Sequence, residues 1–172
     1  QNIDNMAGEI ELLRSDLFFN QVVEATRMDI SYYVYGRVLY QERYQNSPFR
    51  VECVVKNPVI YDRPFDVEIL NDEQFVLSYT ESNEVISRAY LFGEKIISSD
   101  FQFIVTLTDY YQSPRDDIKH YFTINSKRAQ VGYLSRNMKV EPVNLNANTL
   151  RIGFQGYDRQ KVRDLVAVID SV

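Results

Sequence analysis

The chain opens with apolar residues at helical spacing. In the proline-free stretch from Asn5 to Thr26, Ile10, Leu13 and Leu17 recur at steps of three and four residues, which predicts a helix with one apolar face. Ser15-Asp16 offers side-chain acceptors for free backbone N–H groups, so we expect a second helix to begin there.

The chain closes on a stronger version of the same pattern. Val162, Leu165, Val166 and Ile169 stand at positions i, i+3, i+4 and i+7, and Asp158 precedes them as a candidate N-cap. This pattern predicts an amphipathic helix at the C-terminal end of the chain.

Between the two ends, apolar and polar residues mostly alternate, as in strands with one buried face. The predicted strands span residues 30–44, 49–55, 65–69, 75–79, 101–107, 120–124, 138–143 and 150–154. Asn71-Asp72 predicts a hairpin turn, and Asn125-Ser126 predicts the cap of a helix that ends near Asn137.

This order of elements lacks the regular alternation of strand and helix that a parallel sheet requires. We therefore predict an α+β fold, mainly antiparallel sheet, with amphipathic helices at the N- and C-terminal ends and one between strands. No internal repeat or convincing linker divides the chain, so residues 1–172 are predicted to form a single domain.

Composition and charge narrow the class of protein. The 172 residues are 45% hydrophobic, with 19 Lys+Arg against 24 Asp+Glu and a net charge of −5, which argues against a nucleic-acid partner. The longest run without a charged residue is the nine residues Pro142–Leu150, well short of the ~20 apolar residues of a membrane-spanning helix. The chain begins at Gln1, without an initiator Met or a signal-peptide pattern, so we expect a piece of a longer protein.

Sequence motifs of catalysis are not recognisable. The six glycines do not form a phosphate-binding loop, and His120, the single histidine, has no Gly-x-Ser-x-Gly partner motif. Cys53 falls on an apolar strand face, and the acidic residues at Asp116-Asp117 suit exposed turns. We predict no catalytic residue, metal or cofactor, although a hydrolase built on two of the many carboxylates remains an open hypothesis.

Thirteen tyrosines are the most unusual feature of the composition. Five of them cluster on one stretch, namely Tyr32, Tyr33, Tyr35, Tyr40 and Tyr44. A flat ring with a polar tip suits stacking on sugar rings or contact with a partner protein, and it equally suits packing within a strand. Both interpretations of the cluster stay open.

The ends of the chain resemble a known family. The residues concerned are Glu9-Ile10-Glu11-Leu12-Leu13-Arg14-Ser15, Val22-Val23-Glu24, Asp29-Ile30-Ser31-Tyr32-Tyr33, Ser47-Pro48-Phe49-Arg50-Val51-Glu52, Asn148-Thr149-Leu150-Arg151-Ile152, and Asp158 followed by Lys161-Val162 and Leu165-Val166. Together they resemble the Wzz-type chain-length determinants. Tyr121–Asn125 and Val140-x-Pro142-Val143 are similar to the extracytoplasmic domain of the membrane tyrosine autokinases of Bacteroidetes-type bacteria.

This resemblance implies a non-catalytic periplasmic domain of a polysaccharide co-polymerase. Such a domain would lie at the inner membrane, self-associate, contact the polysaccharide polymerase or export machinery and the polysaccharide, and influence the length and export of surface polysaccharide. Any kinase would lie in another part of the protein. Both termini are then expected on one side of the fold.

Charged residues on the terminal helices are candidates for self-association. Glu11, Arg14, Arg159 and Arg163 lie off the predicted apolar faces, where a partner or solvent could meet them. The main alternative function is a carbohydrate-binding module that uses the clustered tyrosines.

Overall fold

The computed structural model describes residues 2–25, 28–35, 40–42, 45–113, 115, 118–144, 149–155 and 159–171. Within these ranges the helices are α1 (Asn2–Leu13), α2 (Asp16–Ala25), α3 (Lys127–Asn137) and α4 (Arg159–Ser171). The strands are β1 (Ile30–Tyr35), β2 (Tyr40–Glu42), β3 (Phe49–Val55), β4 (Pro64–Ile69), β5 (Gln74–Glu81), β6 (Glu84–Leu91), β7 (Lys95–Ile97), β8 (Phe101–Leu107), β9 (Lys119–Ile124), β10 (Met138–Asn144) and β11 (Thr149–Phe154). The paired strands are antiparallel, which confirms the predicted α+β fold class.

The chain forms two compact units. Unit 1 combines residues Gln1–Asp29 with Ser126–Val172, and unit 2 is the continuous segment Ile30–Asn125. Unit 1 contains the four helices and the β10–β11 pair, whereas β1 to β9 belong to unit 2. The assignment of the whole chain to one extracytoplasmic domain stays a prediction.

Unit 2 holds two sheets, and phenylalanine rings from both of them pack in its core. The six-stranded sheet has the order β2-β1-β9-β4-β5-β6 and the three-stranded sheet the order β3-β8-β7, so β8 is central as its alternating pattern predicts. Phe65 of β4 stacks on Phe122 of β9 at 5.2 Å between ring centroids, and Phe103 of β8 meets Phe65 edge to face at 5.0 Å. Burying such large rings from both sheets stabilises unit 2.

Unit 1 buries the apolar faces of its helices in a second core. The predicted break falls between α1 and α2, where the Ser15 hydroxyl accepts a hydrogen bond from the Phe18 N–H at 3.3 Å. Ser126 caps α3 in the same way, accepting from the Ala129 N–H at 3.1 Å. The core residues include Phe19, Val22, Leu134, Val140 and Leu165. No helix in the described part of the chain is long and apolar enough to cross a membrane.

The strand predictions were wrong for one segment and missed two strands. The segment from Ile30 to Tyr44, predicted as one long strand, contains β1 and β2, which pair with each other antiparallel. The strand β7 was missed because its three residues are too few to show an alternation, and β6 was missed because both of its faces are largely exposed and its sequence does not alternate. It pairs with β5 through a tight turn at Ser82 and Asn83, whose φ angles are 49° and 68°.

Candidate functional site

Three tyrosines stack on one face of the six-stranded sheet. Tyr33 and Tyr35 alternate along β1 with the buried Tyr32 and Val34, and β9 places Tyr121 opposite Tyr33. The Tyr121 ring centroid lies 4.6 Å from that of Tyr33, with 14° between the ring planes, and 4.6 Å from that of Tyr35. We call Tyr33, Tyr35 and Tyr121 the tyrosine stack.

The stack has a defined polar neighbour. The Tyr35 hydroxyl donates a hydrogen bond to the Asp66 carboxylate at 2.8 Å, an exposed contact between β1 and β4. Tyr33 and Tyr121 each cover one ring face of the other. A sugar ring therefore cannot stack on those two covered faces. The stack therefore offers fewer open ring faces than the number of tyrosines implies.

The five clustered tyrosines do not form one surface. Tyr32 is only 7% exposed, and its hydroxyl accepts a hydrogen bond from the Val51 N–H at 2.9 Å, so this residue belongs to the core rather than to a contact surface. Tyr40 lies opposite Tyr35 in the β1–β2 pairing, and its side chain falls outside the described part. Tyr44 lies outside the described residues.

A cavity of about 340 Å³ opens at one end of unit 2, and we call it the Tyr110 cavity. It is lined by Asn46, Pro48, Ile69, Tyr110, Tyr111, Gln112, Ser113, Arg115, Ile118 and His120. The lining is mixed, with carboxamides, phenols and aliphatic groups close together, and the described lining residues include no carboxylate. Sequence reasoning missed this site, because its residues come from three separate parts of the chain.

His120 joins the Tyr110 cavity to the core. Its ring is half-buried and lies 5.9 Å from the Phe49 ring, close to perpendicular. The imidazole therefore packs against the core and also lines the cavity. Cys53 is half-buried against the same core, as expected for a thiol that packs as a small apolar group.

The charged candidates on the terminal helices lie on the surface of unit 1. Glu11 and Arg163 are exposed, and so is Arg14, whose guanidinium donates to the Val140 carbonyl at 3.3 Å. Arg14 thus also ties α1 to β10. The side chain of Arg159 falls outside the described part.

Exposed leucines accompany these charges. Leu12 is 59% exposed and Leu17 is 67% exposed. The prediction that Leu17 shares the apolar face of Ile10 and Leu13 was wrong, because Leu17 follows the helix break, in α2, whereas Ile10 and Leu13 of α1 pack against the core. An open cavity of about 670 Å³ lies at the α1–α2 break, lined by Ala7, Ile10, Glu11, Arg14, Ser15 and Asp16. We call Glu11, Leu12, Arg14 and Leu17 the terminal-helix patch.

Neither a metal site nor a similar protein identifies a function for this chain. In the described ranges, no three His, Cys, Asp or Glu side chains are grouped closely enough to hold a metal ion. No protein-family model matches the chain, and no curated protein sequence matches it.

Proposed function

We propose that this chain is a non-catalytic, extracytoplasmic assembly domain of a polysaccharide co-polymerase, which self-associates beside the bacterial inner membrane and influences the length and export of surface polysaccharide. The single observation that best supports this proposal is that unit 1 is built from both ends of the chain. The first and last segments of the chain fold together there, with α2 and α4 contributing to one apolar core.

This arrangement suits a domain that is anchored through both flanking segments. Unit 1 receives the chain at its start and at its end, and residues 30–125 form unit 2 as an insertion within it. A membrane anchor at each end would then connect directly to the same compact unit.

The terminal-helix patch is the surface proposed for self-association. Exposed apolar side chains among opposite charges are typical of weak protein interfaces, in which the apolar groups contribute affinity and the charges fix the pairing. Tethering to a membrane raises the effective concentration of such an interface without any new contact. The isolated chain is therefore expected to be monomeric in solution and associated on a surface.

Vesicle tethering tests this proposal. The chain, attached through a terminal histidine tag to vesicles that carry nickel-chelating lipid, should show energy transfer between labelled copies that rises with surface density. Leu12→Ser with Leu17→Ser, and separately Glu11→Lys, should reduce the transfer, whereas Asp72→Lys in the exposed turn of unit 2 should not. Equal association of the free and the tethered chain, or no association in either state, would contradict the proposal.

The surrounding open reading frame supplies a second check. The proposal requires an apolar segment of ~20 residues on each side of this chain. A secretion signal as the sole flanking feature would instead favour the carbohydrate-binding module, the second candidate function, for which the mixed polar lining of the Tyr110 cavity is the specific observation.

A further inference from the structure

We infer that the Tyr110 cavity binds a neutral glycan, holding one or two sugar units of a longer chain. The inference rests on the proposed function for the source of its ligand, and on the residues of unit 2 for the site itself.

The cavity has a fixed wall. Its tyrosines follow β8, where the Thr108 hydroxyl donates to the Ser47 carbonyl at 2.6 Å and the Thr108 N–H donates to the Pro48 carbonyl at 2.9 Å. Thr108 then accepts from the next residues, its hydroxyl from the Tyr110 N–H at 3.3 Å and its carbonyl from the Tyr111 N–H at 3.1 Å. The backbone of the two tyrosines is therefore fixed at the cavity before any ligand arrives, which lowers the entropy cost of ordering this segment on binding.

The segment that carries Asn46 and Pro48 is anchored as well. The Arg50 guanidinium donates to the Gln45 carbonyl at 3.0 Å, which ties down the segment that carries Asn46 and Pro48. Gln45 has a φ of 60°, a left-handed conformation that turns the chain directly before Asn46.

The lining chemistry matches a sugar. The carboxamides of Asn46 and Gln112 each place a donor beside an acceptor, and the phenols of Tyr110 and Tyr111 can do both, which suits the neighbouring hydroxyls of a pyranose ring. Pro48, Ile69 and Ile118 supply apolar surface for the C–H face of the ring. A volume of about 340 Å³ lies at the small end of the ~300–1,000 Å³ range of ligand sites.

Charge argues against a polyanionic ligand at this cavity. Arg115 is the one Lys or Arg side chain among the described residues of the cavity, whereas recognition of a nucleotide or polyphosphate needs several cations or a phosphate-binding loop. The net charge of −5 gives long-range repulsion of polyanions rather than attraction.

The tyrosine stack provides an internal comparison. Residues of β9 alternate between the two faces of its sheet, so Tyr121 of the stack lies on one face and His120 of the cavity on the other. A glycan bound in the cavity leaves the stack untouched, and a glycan bound on the stack leaves the cavity untouched. Variants on the two faces therefore tell the sites apart.

Saturation-transfer NMR with neutral trisaccharides tests the inference. The chain is mixed at millimolar concentration of sugar with cellotriose, maltotriose, mannotriose and chitotriose in turn, and at least one is expected to receive saturation. Tyr110→Ala and Gln112→Ala, both at exposed positions, should each weaken binding by about fivefold or more, as expected for a lost hydrogen bond and ring contact. Tyr33→Ala should leave binding unchanged, and near-UV circular dichroism should show that all three variants keep the fold.

Each alternative outcome overturns the inference. If none of the trisaccharides receives saturation, the cavity is not a neutral-glycan site. If Tyr33→Ala abolishes transfer while Tyr110→Ala retains it, the glycan lies on the tyrosine stack instead. Vesicle tethering is a separate readout, since Tyr110→Ala should associate on vesicles like the parent chain. Association without glycan binding refutes the glycan site alone. Glycan binding without association refutes the proposed assembly function alone.

Discussion

The ammonium nitrogen of Lys161 lies 4.2 Å from the centroid of the Tyr133 ring, which joins α4 to α3 within unit 1. Lys161 is only 6% exposed, an unusual position for a lysine. Tyr133 also packs against Phe154 of β11, at 5.6 Å between centroids. The last helix is thus fixed by a buried cation on an aromatic ring as well as by Leu165 in the core.

A double-mutant cycle should reveal this coupling. Lys161→Met, Tyr133→Leu and the combined variant are expected to give a coupling free energy of about 1–2 kcal/mol in urea unfolding, because Lys161 is buried. The exposed pair Lys127–Glu24, 3.1 Å apart with side chains 68% and 66% exposed, is the matched control and should give less than about 1 kcal/mol. Equal coupling in the two pairs would show that burial adds nothing to the cation–ring contact.

The Tyr32 hydroxyl should matter for the stability of unit 2. Val51 lies in β3, an edge strand of the three-stranded sheet, and is buried, so Tyr32→Phe leaves its N–H without a partner. We expect Tyr32→Phe to lower the free energy of unfolding by about 1–3 kcal/mol. Tyr33→Phe, on the half-buried stack, should lower it by less than about 1 kcal/mol in the same chemical denaturation experiment. A larger loss of stability for Tyr33→Phe than for Tyr32→Phe would show that the hydroxyl of the tyrosine stack matters more.

Two glycines should respond to alanine in opposite directions. Gly93 has a φ of 83° in the turn before β7, and an added Cβ meets no atom within 4 Å, so strain rather than a clash decides the outcome. Gly93→Ala should destabilise by about 1–2 kcal/mol. Gly8→Ala, at an open position in α1, should stabilise by up to about 1 kcal/mol because alanine favours a helix. Thermal unfolding measures both, and stabilisation at position 93 would contradict the left-handed geometry.

Tyr79 should make unit 2 sensitive to alkaline pH. Burial raises the pKa of Tyr79 above its ordinary 10.0, and the nearby Glu81 carboxylate raises it further. The unfolded chain then releases the phenolic proton more readily than the folded chain, so the contribution of Tyr79 to stability is lost as pH rises from 10.0 through the raised folded pKa. Above pH 10.0, the free energy of unfolding of Tyr79→Phe should therefore fall less steeply with pH than that of the parent chain.

The exposed Tyr110→Phe variant controls for the loss of a phenol as such. It should follow the parent chain across the alkaline range in urea unfolding monitored by circular dichroism. If Tyr79→Phe and Tyr110→Phe behave alike, the burial of Tyr79 does not govern the alkaline response.

Local patterns were sufficient for much of this fold. The α1–α2 break at Ser15, the cap at Ser126 and the alternation of Phe101–Leu107 each depend on neighbouring residues, and each prediction was confirmed. Those patterns fail where neighbours in space decide the structure. In β6 the position at the sheet edge leaves both faces largely exposed, and Arg88 even lies opposite the buried Leu77, so no apolar alternation marks the strand.

The candidate sites show the same division. The clustering of tyrosines drew attention to β1, but only the pairing of β1 with β9 shows that Tyr33 meets Tyr121, a residue far away in the sequence. The Tyr110 cavity needs Asn46, Ile69 and His120 to converge, and no spacing in the sequence records that convergence.

The pairing of β1 with β9 also determines how separable unit 2 is. The chain enters unit 2 at Ile30 and leaves it beside Ile124, and these two residues lie directly opposite each other. Asn125 closes this base by donating to the Ser31 hydroxyl at 2.8 Å. Facing residues of an antiparallel pair have Cα atoms about 4.5–5.5 Å apart, so a short turn could replace the entire segment without stretching the remaining chain. Unit 2 is thus an inserted segment that could be exchanged, lengthened or deleted as a whole. The two segments of unit 1 would still be joined by a short connection.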